Sequence, residues 1–201
     1  MKFLRLFFFG IIAALSALFL ELVIVTALGD SQEMLYTFFA QITPLLFAIV
    51  IVEEIFKFIF IYKSYSDLKS DFKKTTDTDA IIKKIFFSSI YIGLGFSFIE
   101  ILVVSTSLSF DRNFSQFALP ALGIMMVHIV TSATMGYLLA KSKFVDSILI
   151  LKALLITASV HIFYNLLIIY SASPLYISLY LLSLISFFLI MFLKITPKRM
   201  G

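Results

Sequence analysis

Long apolar stretches constrain this chain more than any other feature of its sequence. They recur from one end to the other, each about 20 residues long, with polar or charged segments between them. About 20 apolar residues in a helix cross a hydrocarbon core about 30 Å thick, and a helix satisfies its backbone hydrogen bonds internally. The sequence therefore predicts an all-α fold, namely a polytopic membrane helical bundle.

The bundle is predicted to contain about six transmembrane helices. Charged residues make up 14% of the 201 residues, whereas soluble proteins contain about 25%. We expect one transmembrane domain over 1–201 with its core at 36–170, because no room is left for a separate soluble domain. The absence of cysteine excludes disulfides and cysteine-based zinc or nucleophile chemistry. The predicted spans are 6–28, 36–62, 85–109, 117–140, 147–170 and 175–193.

Clusters of Lys and Arg predict the orientation of the helices. They lie at the N-terminus, after the second and fourth spans and at the C-terminus, whereas the alternate loops carry few basic residues. By the positive-inside rule, both termini and the charged loop at 63–84 are cytoplasmic. The first apolar run exceeds the about 7–15 residues of a signal-peptide core, so we expect it to be kept as a span. The loop lysines explain the net charge of +4, so we expect the lipid bilayer as a partner and no nucleic acid.

Ionisable side chains inside the apolar stretches indicate a site within the bundle. Such a group costs at least about 2.5 kcal/mol in hydrocarbon, so we expect it to face the bundle interior. Counted from the predicted outer surface at about 1.5 Å per residue, Glu100 and His161 lie about 14 Å deep and His128 about 17 Å. Glu53 lies somewhat deeper, at about 25 Å. Groups from four helices in one layer can surround one water-filled cavity. The full set is Glu53, Glu54, Lys57, Glu100, His128 and His161.

Spacing along each helix predicts how these groups pair. Lys57 follows Glu53 by four residues, so it can pair with Glu53 or extend toward the inner surface. Glu54 points about 100° away from Glu53, so we expect the two carboxylates to have different roles. Asn165 follows His161 by four residues, so an imidazole and an amide share one helix face.

These residue types suit peptide hydrolysis, in which water loses a proton, an oxyanion is stabilised and the leaving amine gains a proton. Glu53 with His128 or Glu100 can activate water, while His161 and Asn165 can donate hydrogen bonds to the oxyanion. A divalent metal such as zinc is the rival arrangement, with its ligands among Glu53, Glu100, His128 and His161. No HExxH motif is present, so the residues leave both mechanisms open.

Other interpretations of the same residues also stay open. A proton-coupled transporter would likewise place Glu, Lys and His in a cavity near the membrane midplane. A non-catalytic scaffold would use such a cavity to bind other membrane segments. Glu53 and Lys57 alone would fit a structural buried pair. Glu21 in the first stretch has no evident companion, so we expect it to be an interfacial or packing residue.

The order of these residues resembles that of the PrsW family of intramembrane proteases, within the wider CAAX protease and Abi-type superfamily. The similarity rests on EExxK at 53–57, FxxxE at 96–100, a helix with His128, and HxxxN at 161–165. Two features differ from the usual family pattern: Ile101 stands where Asn commonly follows the FxxxE glutamate, and no Trp lies near the last motif.

The resemblance implies a membrane-embedded endopeptidase that is glutamate-type or metal-assisted. Its substrate would be a membrane-anchored protein or peptide, such as an anti-sigma factor or another regulator. A CAAX-like or bacteriocin-processing protease is the alternative within the same superfamily. The implied location is a cell membrane, crossed several times, with a prokaryotic plasma membrane expected. The implied site has Glu53 and Glu54 as essential carboxylates, Lys57 in support, and Glu100, His128, His161 and Asn165 completing it.

Overall fold

A computed structural model describes residues 2–28, 44–72, 78–107, 114–142, 146–170 and 173–195. Within these ranges the regular structure is helical and no strand occurs, so the predicted all-α bundle is confirmed. The helices are α1 (Lys2–Leu28), α2 (Pro44–Phe72), α3 (Thr78–Ser107), α4 (Phe114–Lys141), α5 (Ser147–Ile169) and α6 (Pro174–Ile195).

Among the described helices, all except α2 are long and apolar enough to cross a membrane, which makes five candidate spans. The chain is therefore a multi-pass membrane protein. α2 differs in composition, because Glu53, Glu54 and Lys57 fall close together in its apolar part. The predicted second span at 36–62 corresponds to α2, although its first residues, 36–43, lie outside the described part of the chain.

Much of the segment predicted as a loop at 63–84 is helical. α2 continues to Phe72 and α3 already begins at Thr78. This segment contains no Pro or Gly, so nothing in the backbone stops either helix where the apolar run ends. The cytoplasmic location of this segment and of both termini stays a prediction.

Several helix ends follow from local sequence. Pro44 and Pro174 begin α2 and α6, where the missing N–H of proline costs no intrahelical hydrogen bond. Asp146 caps α5, because its carboxylate accepts from the backbone N–H groups of Ile148 at 2.9 Å and Leu149 at 3.2 Å. Such a cap satisfies two of the four N–H groups that a helix start leaves free.

Helix α4 is the centre of the bundle. It contacts α2, α3, α5 and α6, and it is the most buried of the five candidate spans. Apolar clusters cover it on both sides: Met135 of α4 packs with Ile61 of α2 and Ile92 of α3, and Val127 packs with Leu181 of α6. A residue on the inner faces of α4 is therefore shielded from lipid.

Two close helix approaches depend on glycine. A Cβ atom at Gly93 of α3 would lie 2.5 Å from the carbonyl oxygen of His128, so only glycine lets α3 lie this close to α4. Gly10 of α1 and Gly95 of α3 also face each other, and a Cβ on either would collide with the opposite backbone.

Helices α1 and α3 run in the same direction. Ring contacts along their interface show this, because partners further along α1 meet partners further along α3. Phe3 lies 4.7 Å from Tyr91 and Phe7 lies 5.8 Å from Phe98, measured between ring centroids.

Candidate active site

Four helices bring the predicted ionisable residues together inside the bundle. Lys57 and His128 are 0% exposed, and Glu54 and His161 are 1% exposed. The side chain of Glu100 is 24% exposed. The cluster is thus closed by α2, α4 and α5, and it reaches the surface at the Glu100 carboxylate.

The ammonium group of Lys57 lies at the centre of this cluster. Its Nζ donates to Glu54 Oε1 at 2.5 Å and to Thr131 Oγ1 at 3.0 Å, and it lies 3.2 Å from His128 Nδ1. Three partners match the three N–H donors of an ammonium group. The predicted pairing of Lys57 with Glu53 is corrected, because residues three apart also share a helix face and here Glu54 is the partner.

Both carboxylates of α2 approach the imidazole of His161. The Nδ1 atom lies 3.1 Å from Glu54 Oε1, with which it forms a hydrogen bond, and 3.3 Å from Glu53 Oε2. Glu53 Oε2 is buried and has no hydrogen-bond partner within the described ranges, as is also true of Glu54 Oε2. Glu54 is thus held by two partners through Oε1, and each of the two carboxylates keeps one acceptor oxygen without a partner in the described residues.

The second imidazole, that of His128, is engaged at both nitrogens. Because an ammonium group can only donate, Nδ1 is assigned as the acceptor from Lys57, and Nε2 carries the hydrogen that it donates to Glu100 Oε2. The rings of His128 and His161 lie 4.8 Å apart at 82°, and Phe96 covers His128 at a centroid distance of 4.8 Å. The two imidazoles therefore stand side by side with fixed orientations.

Three of these groups form a set that can hold a metal ion. Glu53, His128 and His161 each offer one ligand atom, and these atoms lie within 4.8 Å of one another. One carboxylate oxygen and two imidazole nitrogens suit zinc, and the Glu53 Oε2, which has no hydrogen-bond partner in the described residues, could serve as a ligand atom. For His128 to bind a metal, it has to release Lys57 or Glu100. Glu100, a predicted ligand candidate, is not in this set but is hydrogen-bonded to one of its members.

Asn165 is less closely tied to the cluster. It is half-buried on α5, one turn beyond His161, and its side chain forms no hydrogen bond with the part of the chain that the structure describes. Its role in holding an oxyanion stays a prediction.

Sequence reasoning missed two residues near this cluster. Thr131 receives a hydrogen bond from Lys57, and no sequence signal identified it. Glu21 was expected to have no companion, and this is corrected because like-charge repulsion acts between it and both Glu100 and Glu53. Its expected role as an interfacial or packing residue stays a prediction. Counting about 1.5 Å per residue from position 28 puts Glu21 about 10 Å below the predicted outer surface. This depth, close to that of Glu100, could have indicated that Glu21 lies near the cluster.

Comparison with known proteins gives one match. A family model described as PrsW family intramembrane metalloprotease matches residues 2–193, which include nearly all of the six helices. No curated protein and no solved structure gives a significant match.

Proposed function

Because this chain belongs to the PrsW family of intramembrane metalloproteases, we propose that it hydrolyses a peptide bond of a membrane-anchored regulatory protein in a prokaryotic plasma membrane. One observation carries the proposal. Glu53, His128 and His161 come from three different helices, and their ligand atoms lie within 4.8 Å of one another in a buried place. Ionisable groups inside a membrane bundle are unfavourable without a function.

In this proposal Glu53, His128 and His161 hold a divalent metal such as zinc. When bound, the metal supplies Lewis acidity, which polarises the scissile carbonyl and makes water a stronger acid. Glu54 accepts the Nδ1–H of His161, which leaves the lone pair of that imidazole on Nε2. Such a second carboxylate fixes both the tautomer and the orientation of a ligating histidine.

Lys57 keeps Glu54 in place. Its ammonium group donates to Glu54 and to Thr131, so the carboxylate that orients His161 is itself fixed. Lys57 also balances one of the negative charges that the bundle buries here. We therefore assign it a positioning role.

Glu100 is assigned the proton transfers. Among the carboxylates of the cluster it has the most exposed side chain, and it lies against His128. A carboxylate in this position can take a proton from the attacking water as the new C–O bond forms. The same group then gives that proton to the amine when the C–N bond breaks. Asn165 is assigned to the oxyanion, for which its amide N–H groups are suitable donors.

The proposal is tested by comparing membrane proteomes of cells that carry the wild-type protein, Glu53→Gln or His161→Ala. We expect one or more membrane-anchored proteins to accumulate uncut in both variants. Ser159→Ala is the matched control, because Ser159 is exposed on the same helix as His161 and, among the described residues, its hydroxyl bonds only to the carbonyl of Leu155. Undiminished cleavage in both variants, with the protein present in the membrane, would contradict the proposal.

A further inference from the structure

Glu21 of α1 is a carboxylate that the mechanism above does not use. Its Oε1 is buried and has no hydrogen-bond partner within the described ranges. Its charge interacts with those of Glu53 and Glu100. A buried acceptor without a donor is unfavourable, so Glu21 is suited to receive a donor from a molecule that enters the site.

The position of Glu21 lies toward one end of the bundle. Gly10 and Gly95 face each other across α1 and α3, which run in the same direction. A helix rises about 1.5 Å per residue. Glu21 therefore lies about 17 Å beyond Gly10 along α1, and Glu100 lies about 8 Å beyond Gly95 along α3. Glu21 therefore lies about 9 Å closer than Glu100 to the C-terminal ends of these helices.

The charges around Glu21 favour a cation. Glu53 is only 8% exposed, and its Oε2 has no hydrogen-bond partner in the described residues. The cluster and Glu21 together contain four carboxylates and one ammonium group, that of Lys57, which pairs with Glu54. Like-charge repulsion acts among Glu21, Glu53 and Glu100, and a further cation would reduce it. Glu21 and Glu100 are the two that neither belong to the ligand set nor contact Lys57.

We propose that Glu21 is a specificity-determining residue that binds a Lys or Arg side chain of the substrate. The basic side chain would lie on the side of the scissile bond that faces the C-terminal ends of α1 and α3. It supplies both the N–H donors and the positive charge that this carboxylate lacks, and its long apolar stem suits the surrounding helices. The inference rests on the proposed function only in taking the ligand to be a membrane-spanning peptide.

The test uses synthetic Leu/Ala single-span peptides in phosphatidylcholine–phosphatidylglycerol liposomes, with Lys or Gln placed at successive positions. Binding is measured with His161→Ala protein, and cleavage is measured with otherwise wild-type protein. We expect about tenfold tighter binding of the best Lys peptide than of its Gln counterpart, and the same ratio in kcat/KM, mostly through KM. Glu21→Gln should bring both ratios close to one, and Glu21→Asp should restore part of the preference.

Thr26→Val is the matched control, because Thr26 is exposed on the same helix and bonds to the carbonyl of Leu22. It should keep both ratios. Equal binding of Lys and Gln peptides, or a preference that survives Glu21→Gln, would overturn the inference. Binding that depends on Glu21 without any cleavage would support the inference and contradict the proposed function, whereas cleavage without dependence on Glu21 would do the reverse.

Discussion

Glu54 and His161 are joined by a 3.1 Å hydrogen bond although 107 residues separate them along the chain. Both side chains are buried, and the same oxygen of Glu54 also accepts from Lys57. One carboxylate oxygen therefore connects the cation of α2 to the imidazole of α5. This connection makes the EExxK motif and the HxxxN motif parts of one structure, and the effects of substitutions at the two motifs should be coupled.

Glu54→Gln should weaken metal binding without removing a ligand. The amide keeps the shape of the side chain but loses the charge that orients His161, and changes in such supporting partners cost about 10–100-fold in metal affinity or activity. Zinc titration of the purified protein and its metal content by mass spectrometry would measure this. Ser159→Ala serves as the control on α5, and a metal affinity unchanged by Glu54→Gln would show that Glu54 does not support a ligand.

Lys57→Met should destabilise the fold. It leaves Glu54 as a buried charge without its cation, and breaking one side of a buried ion pair costs about 3–5 kcal/mol. Denaturant unfolding in mixed micelles would measure the loss. The double variant Lys57→Met/Glu54→Gln also removes the unpaired charge of Glu54, so it should recover part of the stability. If the single and double variants unfold together, the pair does not contribute as argued.

Glu100→Gln should separate proton transfer from metal binding. Loss of a general base or acid lowers kcat by about 10²–10⁴-fold, while the three-residue ligand set stays intact. We therefore expect greatly reduced cleavage by a protein with its normal metal content. A fall in metal content to the level of His161→Ala would instead make Glu100 a ligand.

Gly93→Val should force α3 away from α4. The added Cβ would lie 2.5 Å from the carbonyl oxygen of His128, and overpacking of this kind typically costs about 1–3 kcal/mol. We expect a lower unfolding midpoint and a loss of activity through displacement of His128. Leu102→Val is the control, because Leu102 is exposed on the same helix and its substitution should change neither quantity.

The main features of the fold and site could be predicted because hydrocarbon allows few alternatives. A backbone in lipid has to be helical, and an ionisable residue such as His128 or His161 has to face inward. Counting residues along each predicted span then gives these groups similar depths in the membrane, and this count does not require the packing of the helices to be known. The contact between His128 and the partly exposed Glu100 is consistent with that reasoning.

The partners of individual side chains could not be predicted in the same way. Lys57 lies on one helix face with both Glu53 and Glu54, and the positions of α4 and α5 decide between them. Glu21 was misread because α1 has one acid only, so its companions had to come from other helices. The rotation of each helix about its axis and the choice of neighbouring helices determine the partner of Lys57 and the companions of Glu21. The spacing of residues along one helix specifies neither.

The partial exposure of Glu100 beside the closed His128 determines how inhibitors would reach a bound metal. A small, uncharged chelator such as phenanthroline could pass the Glu100 carboxylate and remove the metal ion directly. EDTA is larger and carries several negative charges, so the acidic entrance would repel it, and it would act only as fast as the ion dissociates by itself. Resistance to EDTA in a short assay would therefore be compatible with dependence on zinc.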